Sequence, residues 1–322
     1  MKALVTGGTG FVGSHLVEAL RRSSVEVTIL ARSPSKAAGL ATQGVQVVTG
    51  DLHDAAGVER AVQGQDVIYH VAGVVAAADE AEFLRANRDG TRHLLAAAER
   101  RGSARFVLVS SLAACGPAPR GTPLSGGEPP HPVTAYGRSK LAAEELVRGS
   151  ALPWSIIRPP IVYGPRDREV LKVFRLARLG IAPVFGDGTQ ELSAVHAADL
   201  ATALMAVATR PTTVGRTYHA CHPEVFTSAE LGRAVGAAMG RSVVTVRVPP
   251  GVGRALLSVT EAAARFSRKP TILTTDKANE FFQPAWTGDP APLTRDSGWS
   301  ATWNLQSGLA DTYRWYREAG WL

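Results

Sequence analysis

Tyr136 and Lys140 form the first pair of residues in this sequence whose types and spacing suggest catalysis. They stand four positions apart in the run Tyr-Gly-Arg-Ser-Lys, and helical spacing of apolar and charged residues continues to Val147. Residues four apart lie on one face of a helix, so the lysine ammonium would favour the phenolate and lower the pKa of the tyrosine. A tyrosine tuned in this way can exchange a proton with a carbonyl or alcohol oxygen.

Two serines upstream can complete this site. Ser110 and Ser111 follow the apolar run 107–109, which has the character of a strand. In a parallel sheet, the end of such a strand lies at the edge where ligands bind. We expect the Ser111 hydroxyl to bond the reacting oxygen, the alternative being a turn residue at the strand end. For Ser110 we prefer that alternative.

A glycine-rich turn near the N-terminus indicates a nucleotide site. Residues 6–13 read Thr-Gly-Gly-Thr-Gly-Phe-Val-Gly and lie between a short apolar strand and a segment of helical periodicity. Glycines allow a tight turn and bring backbone N–H groups close to a pyrophosphate at a helix N-terminus. The pattern predicts dinucleotide binding by Gly7, Thr9, Gly10, Phe11, Val12 and Gly13.

The end of the second strand bears on which dinucleotide is bound. An acidic residue there would accept hydrogen bonds from the adenosine ribose, but the sequence has Arg32 and no carboxylate. Because arginine suits a phosphate, we predict NADP in preference to NAD; the alternative is that Arg32 stacks on adenine or faces solvent. After the third strand, Asp51 either contacts the adenine amino group or caps a helix.

A sheet must position these residues, since strand-like and helix-like segments alternate from the start of the chain. Apolar runs at 2–6, 25–30, 45–48, 67–69 and 106–109 predict five strands, separated by segments of helical spacing such as 81–100. The alternation predicts the α/β class: a doubly wound parallel Rossmann sheet with a smaller, mostly helical C-terminal substrate lobe. We assign residues 1–165 to the dinucleotide-binding domain and 166–322 to the substrate-binding lobe, with 192–222 returning to the sheet.

Together these motifs resemble the extended short-chain dehydrogenase/reductase family. The resemblance extends to Asn-Arg-Asp-Gly-Thr at 87–91, Arg-Pro-Pro-Ile-Val-Tyr-Gly-Pro at 158–165 and Val-His-Ala-Ala-Asp at 195–199, in the family's order. It implies that Ser111, Tyr136 and Lys140 are the catalytic triad and that Lys140 also contacts the nicotinamide ribose.

The same resemblance implies roles for other residues. Asn87 would be a structural or proton-relay residue, with helix packing as the alternative. His196 would be a buried, hydrogen-bonded residue, and Asp199 would cap a helix beginning at Leu200. The implied cofactor contacts are completed by Leu52, Val71, Ala72, Pro159, Ile161 and Val162.

Two departures from the nucleotide-sugar members of the family narrow the substrate. Those enzymes usually have asparagine at the position of Ile161 and arginine at that of Leu192, both directed to substrate phosphates. The loss of each charge-assisted hydrogen bond costs about 1.5–3 kcal/mol, although Arg166 and Arg168 offer compensating charge. The departures therefore favour a substrate without a diphosphate.

A late apolar segment gives a second indication of the substrate. After Val-Pro-Pro at 248–250, apolar residues recur at helical spacing with few charges, as in the substrate-side helix of 3β-hydroxysteroid dehydrogenase-like reductases. The face comprises Val252, Leu256, Leu257, Val259 and Ala263. It would form a lid over an apolar substrate, pack on the lobe's own core, or touch a membrane surface.

The sequence thus favours an NAD(P)-dependent oxidoreductase. It would interconvert a secondary alcohol and a ketone, or reduce an aldehyde, on a fairly apolar substrate, with Tyr136 as general acid and base. The alternative function is a nucleotide-sugar epimerase or dehydratase. A third interpretation is a catalytically silent protein that binds a dinucleotide, since fold alone does not imply activity.

Composition argues against several other classes. The 322 residues carry a net charge of +7, but the basic residues are scattered without runs, which argues against nucleic-acid binding. No apolar run approaches the roughly 20 residues of a membrane span, so we expect no stable membrane insertion. Cys115 and Cys221 predict neither a disulfide framework nor a metal site, and Cys115 has no basic neighbour that would make it reactive.

The expected setting of the protein rests on two further observations. With no leader-like segment before the first strand, we expect a cytoplasmic protein acting on a small-molecule substrate. The family resemblance implies a homodimer that pairs through the helices after Asn87 and Tyr136.

Overall fold

The computed structural model describes residues 1–102, 104–267 and 271–322. The first half contains β1 (Lys2–Thr6), α1 (Phe11–Arg22), β2 (Glu26–Ala31), α2 (Pro34–Ala41), β3 (Gln46–Thr49), α3 (Ala55–Val62), β4 (Val67–His70), α4 (Glu80–Phe83), α5 (Gly90–Arg101), β5 (Arg105–Val109), α6 (Ala135–Arg148) and β6 (Trp154–Ile157). The second half contains β7 (Ile161–Tyr163), α7 (Glu169–Arg178), β8 (Ile181–Phe185), β9 (Glu191–Leu192), β10 (Ala194–His196), α8 (Ala197–Thr209), β11 (Arg216–Tyr218), β12 (Phe226–Thr227), α9 (Ser228–Ala238), β13 (Val244–Val248), α10 (Pro250–Ser267), α11 (Ala278–Phe281), β14 (Ala285–Trp286), α12 (Ala291–Ser297) and α13 (Leu305–Glu318).

A seven-stranded parallel sheet forms the centre of the molecule, in the order β11-β6-β5-β4-β1-β2-β3. Successive side chains of a strand point to opposite faces, so Val5 of β1 packs with Val17 of α1 on one side. Leu4 packs with Leu94 of α5 on the other side. Helices therefore cover both faces, and the predicted doubly wound α/β fold is confirmed.

The segment predicted as one helix over 81–100 is interrupted. Between α4 and α5, residues Leu84–Asp89 form a π-helical turn that contains the buried Asn87. A π turn inserts an extra residue and rotates the helix beyond it, and such turns are frequent at functional sites. The apolar spacing of this segment showed no sign of the turn.

The rest of the chain builds smaller sheets and a third core. β7 pairs with β10, β8 with β13, and β9 lies between β12 and β14. Phe174 of α7 and Tyr316 of α13 are buried at the centre of this core. β11 leaves this part of the chain and pairs with β6 at the edge of the main sheet.

Most of the apolar face predicted for helix α10 is exposed and does not pack on the protein. Leu257 is buried, whereas Val252, Leu256 and Val259 are exposed, so the alternative that this whole face packs on the lobe's core is wrong for these three residues. They also lie outside the set of side chains that line the main cavity, and so do not form a lid over it. Within the described residues, no helix is both long enough and apolar enough to cross a bilayer.

Candidate active site

A single cavity of about 1370 Å³ collects most of the residues singled out above. Its lining includes Ser111, Tyr136 and Lys140, together with Gly7, Thr9, Gly10, Phe11, Val12, Gly13, Arg32, Asp51, Leu52, Val71, Ala72, Pro159, Ile161 and Val162. Asn87 is outside this lining and lies behind it.

The glycine-rich turn is packed too closely for any side chain. Gly7 turns the chain at the end of β1 with a φ of 72°, and a Cβ there would lie 2.8 Å from the nitrogen of Ala72. A Cβ on Gly13 would lie 2.1 Å from the carbonyl oxygen of Gly7. Gly10, the residue before α1, has no side chain to cap the helix. The first-turn N–H groups thus face the cavity, an arrangement that fits a pyrophosphate.

Arg32 directly follows β2 at the mouth of the cavity. Its side chain is 80% exposed, and its Nε lies 3.8 Å from Oδ2 of Asp51. Lys36 of α2 also lines this end of the cavity, which adds a second cation that the sequence interpretation did not include. Asp51 accepts a hydrogen bond from the backbone nitrogen of His53, and the residue before α3 is Asp54. The alternative that Asp51 caps this helix is therefore wrong.

The three residues of the predicted triad meet where β5 ends and α6 begins. Thr134 caps α6 by accepting a hydrogen bond from the Gly137 nitrogen at 3.2 Å, which fixes the first turn that carries Tyr136. The Ser111 side chain lies beside the tyrosine and acts to lower the pKa of its hydroxyl, while the Ser111 oxygen accepts from the Ala113 nitrogen at 3.2 Å. One turn later, Lys140 Nζ donates to the carbonyl oxygen of Val109 at 2.7 Å.

The pKa values at this site differ from the expectation. Burial raises the pKa of Tyr136 to about 12, although Ser111 acts in the opposite direction. The expected lowering of this pKa by Lys140 is therefore not seen, and the lysine ammonium donates instead to the Val109 carbonyl. Burial lowers the pKa of Lys140 itself to about 8, with Glu144 acting against the shift. The tyrosine is thus a protonated group at neutral pH.

Ser110 borders the cavity, but its hydroxyl is bonded to the protein interior. Its hydroxyl donates to Oε1 of Glu144 at 2.5 Å, in the interior. Ser110 therefore fastens the end of β5 to α6, a firmer role than that of a turn residue.

Asn87 joins three parts of the site from behind. Its Oδ1 accepts from the Val74 nitrogen at 2.9 Å, and its Nδ2 donates to the Val74 oxygen at 3.1 Å and to Ser139 Oγ at 2.9 Å. These bonds connect the π turn, the loop after β4 and helix α6. The contacts support a structural role for Asn87.

The C-terminal part of the chain contributes charged groups that sequence reasoning missed. Oε1 of Glu280 accepts from the Thr134 hydroxyl at 2.8 Å, and Oδ2 of Asp276 accepts from the Ala135 nitrogen at 2.9 Å. Nζ of Lys277 lies 5.9 Å from the centroid of the Tyr136 ring and pairs with Glu280. These contacts span about 140 positions in the chain, and no local pattern signals them.

The cavity beyond the triad is mainly apolar. Its walls are supplied by α7, β8, α9 and the segment 272–286, through Val173, Ala182, Pro183, Val184, Phe185, Leu192, Leu231, Ile272, Phe281 and Trp286. Ile161 and Leu192, which stand where nucleotide-sugar enzymes usually have asparagine and arginine, belong to this lining.

The two arginines that could replace those phosphate donors both line the cavity. Arg166 forms an ion pair with Glu18, with Nη2 3.2 Å from Oε2, and Arg168 lies over the Trp321 ring at 5.3 Å. The Nε donor of Arg166 is buried without a hydrogen-bond partner, so this arginine could still donate to a phosphate.

Two residues of the 195–199 motif have structural roles. His196 is buried and is the residue before α8, accepting from the Ala198 nitrogen at 3.4 Å. Asp199 accepts from Thr302 and from the Trp303 nitrogen. The expectation that Asp199 caps the helix is wrong, because the helix begins at Ala197 and the carboxylate instead anchors the segment before α13.

Both cysteines are free and buried. The structure brings together three side chains that could bind a metal ion, a group that the sequence did not suggest. The possible ligand atoms of Cys115, Glu128 and His219 lie within 4.8 Å of one another. The Glu128 carboxylate is already bonded by Ser125 and Gly126. Burial and the positive charge of Arg158 lower the pKa of His219 to about 4, and the same positive charge opposes the binding of a cation. These features make the group a poor cation site.

The known proteins that are similar to this chain include reductases and a protein solved with a nucleotide sugar. Residues 3–221 match the model of the NAD dependent epimerase/dehydratase family. A ceramide reductase of Caulobacter vibrioides is 34% identical over 99% of this chain and 95% of its own length. A 2-alkyl-3-oxoalkanoate reductase of Shewanella oneidensis is 26% identical over 95% and 84%. The solved structure of MoeE5 with UDP-glucuronic acid and NAD is 26% identical, has a TM-score of 0.78, and is matched over 99% of this chain and 100% of its own.

Proposed function

Because this chain belongs to the NAD dependent epimerase/dehydratase family, we propose that it is an NADP-dependent reductase converting a ketone or aldehyde on a long apolar substrate into an alcohol. The cavity carries this proposal, since it joins a tyrosine proton donor to walls that are mainly apolar. Similarity to a ceramide reductase over almost the whole chain supports a lipid-like substrate.

Tyr136 is the proposed general acid. Its pKa of about 12 keeps the hydroxyl protonated at neutral pH, which suits donation of a proton to the carbonyl oxygen. Ser111, which lies beside the same hydroxyl, donates to that oxygen and stabilises the developing negative charge. The nicotinamide, when bound, supplies the hydride to the carbonyl carbon.

Lys140 holds the cofactor side of the site in this proposal. Its ammonium lies one turn from Tyr136 and is fixed by the Val109 carbonyl at 2.7 Å. From there it would donate to the nicotinamide ribose, as the family resemblance implies. Asn87 acts through the bonds that hold Ser139 and Val74 in place.

NADP is the proposed dinucleotide. Two exposed cations, Arg32 and Lys36, line the cavity where the adenosine ribose would lie. A 2′-phosphate accepts well from a guanidinium, whereas the nearby Asp51 carboxylate would favour an unphosphorylated ribose. Because two cations lie near one carboxylate, the net charge of these side chains is positive, which favours the 2′-phosphate of NADP.

The remaining expectations stand as proposals. We assign residues 166–322 to the substrate lobe, with 192–222 returning to the main sheet, as the pairing of β11 with β6 supports. We also propose a cytoplasmic homodimer that pairs through α5 and α6, and light scattering of the purified protein tests the dimer.

The deciding experiment combines cofactor binding with turnover. Purified protein is checked for retained cofactor and titrated with NADPH and NADH by fluorescence. NADPH oxidation is then followed with long-chain ketones in detergent, a soluble short-chain ketone and UDP-glucose. We expect exchangeable NADPH to bind more tightly than NADH and turnover to rise with chain length.

The opposite result would support the nucleotide-sugar alternative. If the protein retains NAD tightly and epimerises UDP-glucose without net consumption of cofactor, it is an epimerase and the reductase proposal is wrong. The structural similarity to a protein solved with UDP-glucuronic acid is in favour of that alternative.

A further inference from the structure

The outer face of α10 carries an apolar stripe that the described part of the chain leaves uncovered. Val252 is 60% exposed, Leu256 51%, Val259 66% and Phe266 95%. Their spacing of four, three and seven residues puts them on one face of the helix. Leu257 on the opposite face is 1% exposed, so the helix is packed on one side and apolar on both.

The inner face of the same helix lies directly behind the substrate wall. A Cβ on Gly253 would lie 3.1 Å from the ring of Phe185, which lines the cavity and stacks on Phe281 with centroids 4.5 Å apart. Further along, the Thr260 hydroxyl donates to the Leu273 oxygen at 2.7 Å, next to Ile272 of the same wall. The stripe and the cavity are thus separated by one helix and one layer of side chains.

The stretch of sequence that contains the stripe is rich in positive charge. Residues 241–267 contain four basic residues and one acidic residue, a net of 4 − 1 = +3 within a chain whose total is +7. The four are Arg241, Arg247, Arg254 and Arg265, and the acidic residue is Glu261. The basic residues are therefore less evenly scattered than the absence of runs suggested. An apolar helix face with basic surroundings complements an anionic lipid surface.

We propose that α10 seats the protein on an anionic bilayer, with Val252, Leu256, Val259 and Phe266 inserted at the boundary between headgroups and acyl chains. The helix lies in the plane of the surface and does not cross it. The proposal deepens the proposed function and rests on it for its purpose, because an apolar substrate would then pass from the bilayer to the wall formed by Phe185 and Phe281.

The test is sedimentation of the full chain with lipid vesicles. One set of vesicles is phosphatidylcholine alone, and the other contains added phosphatidylglycerol. The stripe variant carries Val252→Ser, Leu256→Ser and Val259→Ser, and the matched control is Val214→Ser, which also removes an exposed valine. We expect wild type and control to bind the anionic vesicles, and the stripe variant to bind at least about tenfold less. Binding should weaken with salt and on Arg247→Gln.

Each contrary outcome is informative. Wild-type protein that stays in the supernatant with both vesicle types, or a stripe variant that binds as well as wild type, overturns the proposal. If light scattering shows a wild-type oligomer that the stripe variant dissociates, without vesicle binding, the face is a protein interface and the proposal is wrong. Thermal unfolding and NADPH binding confirm that the variants are folded.

Turnover of the soluble short-chain ketone separates this proposal from the proposed function. The stripe variant should retain that activity, since its three substitutions lie outside the cavity lining. If the wild-type protein reduces the ketone but does not bind vesicles, only the proposed membrane-docking surface is wrong. Vesicle binding without any carbonyl reduction would contradict only the reaction.

Discussion

The Arg158 guanidinium and the Glu144 carboxylate form a bidentate ion pair in the interior, with Nε 2.9 Å from Oε1 and Nη2 2.7 Å from Oε2. Glu144 lies one turn after Lys140 on α6, and it also accepts from Ser110, the neighbour of Ser111. Burial opposes ionisation of Glu144, but the bond to Arg158 prevails and holds its pKa below the usual value. The pair fastens α6, the helix that carries Tyr136 and Lys140, to the ends of β5 and β6.

Removing one member of this pair should destabilise the fold strongly. Glu144→Leu leaves the Arg158 charge buried without its partner, which typically costs about 3–5 kcal/mol, whereas the double variant Glu144→Leu/Arg158→Met should cost less. Urea unfolding measures the difference. The control is Glu80→Gln, which removes the exposed pair with Arg138 and should cost less than about 1 kcal/mol. If Glu144→Leu and Glu80→Gln lower the free energy of unfolding equally, the buried pair does not have the expected importance.

Tyr136→Phe should lower carbonyl reduction by about 10²–10⁴-fold, because the variant has no proton to donate. NADPH binding should be unchanged, since the ring remains. Steady-state turnover and a fluorescence titration measure the two quantities. Tyr313→Phe, which removes a hydroxyl outside the cavity lining, is the control and should leave both unchanged. Undiminished turnover by Tyr136→Phe would remove this residue from the mechanism.

Arg32→Gln should weaken NADPH binding by about 10–100-fold and change NADH binding little, because a charge-assisted bond to phosphate is lost. Fluorescence titrations with both dinucleotides measure the ratio. Arg22→Gln changes the net charge equally at an exposed position of α1 and should leave the ratio unchanged. A parallel loss for both dinucleotides would indicate that Arg32 contacts the adenine instead.

Acid should destabilise the protein through His70. The ring lies between the Thr6 and Thr91 hydroxyls at 2.7 and 2.9 Å, and burial, with the Lys140 charge, lowers its pKa to about 3. The unfolded chain therefore binds a proton that the folded chain excludes between pH 6.5 and about 3. The stability present above pH 6.5 is lost as the pH falls through this window, by up to about 1.4 kcal/mol per pH unit.

Unfolding free energies across this window test the assignment. His70→Gln should flatten the pH dependence, whereas the exposed His53→Gln should leave it as in wild type. An unchanged slope in His70→Gln would assign the acid sensitivity to other groups.

Local patterns predicted much of the fold and the position of the triad. The five strands 2–6 to 106–109 were found because each buried strand is a short apolar run bounded by turn residues. The glycine turn and the spacing of Tyr136 and Lys140 needed only neighbouring residues. For the same reason, the π turn at 84–89 was missed, since one extra residue in a turn barely alters the apolar periodicity.

Features that depend on distant contacts could not be predicted. Spacing places Lys140 on the face of Tyr136 but does not reveal that the Val109 carbonyl holds its ammonium. Nothing near Thr134 announces Glu280, 146 positions away. Periodicity identified the apolar positions of α10, yet only the packing of Gly253 on Phe185 determines which side faces outward.

Strand β11 completes the main sheet although it is encoded after β7, β8 and helix α7. Until it docks, β6 keeps an unpaired edge on a buried, hydrophobic strand. A nascent chain leaving the ribosome must therefore carry this open edge while the intervening segments are synthesised. A gene fragment that stops at residue 165 would carry it permanently and would tend to pair with other chains. We therefore expect the unit of independent folding to extend beyond residue 165, past the segment assigned to dinucleotide binding.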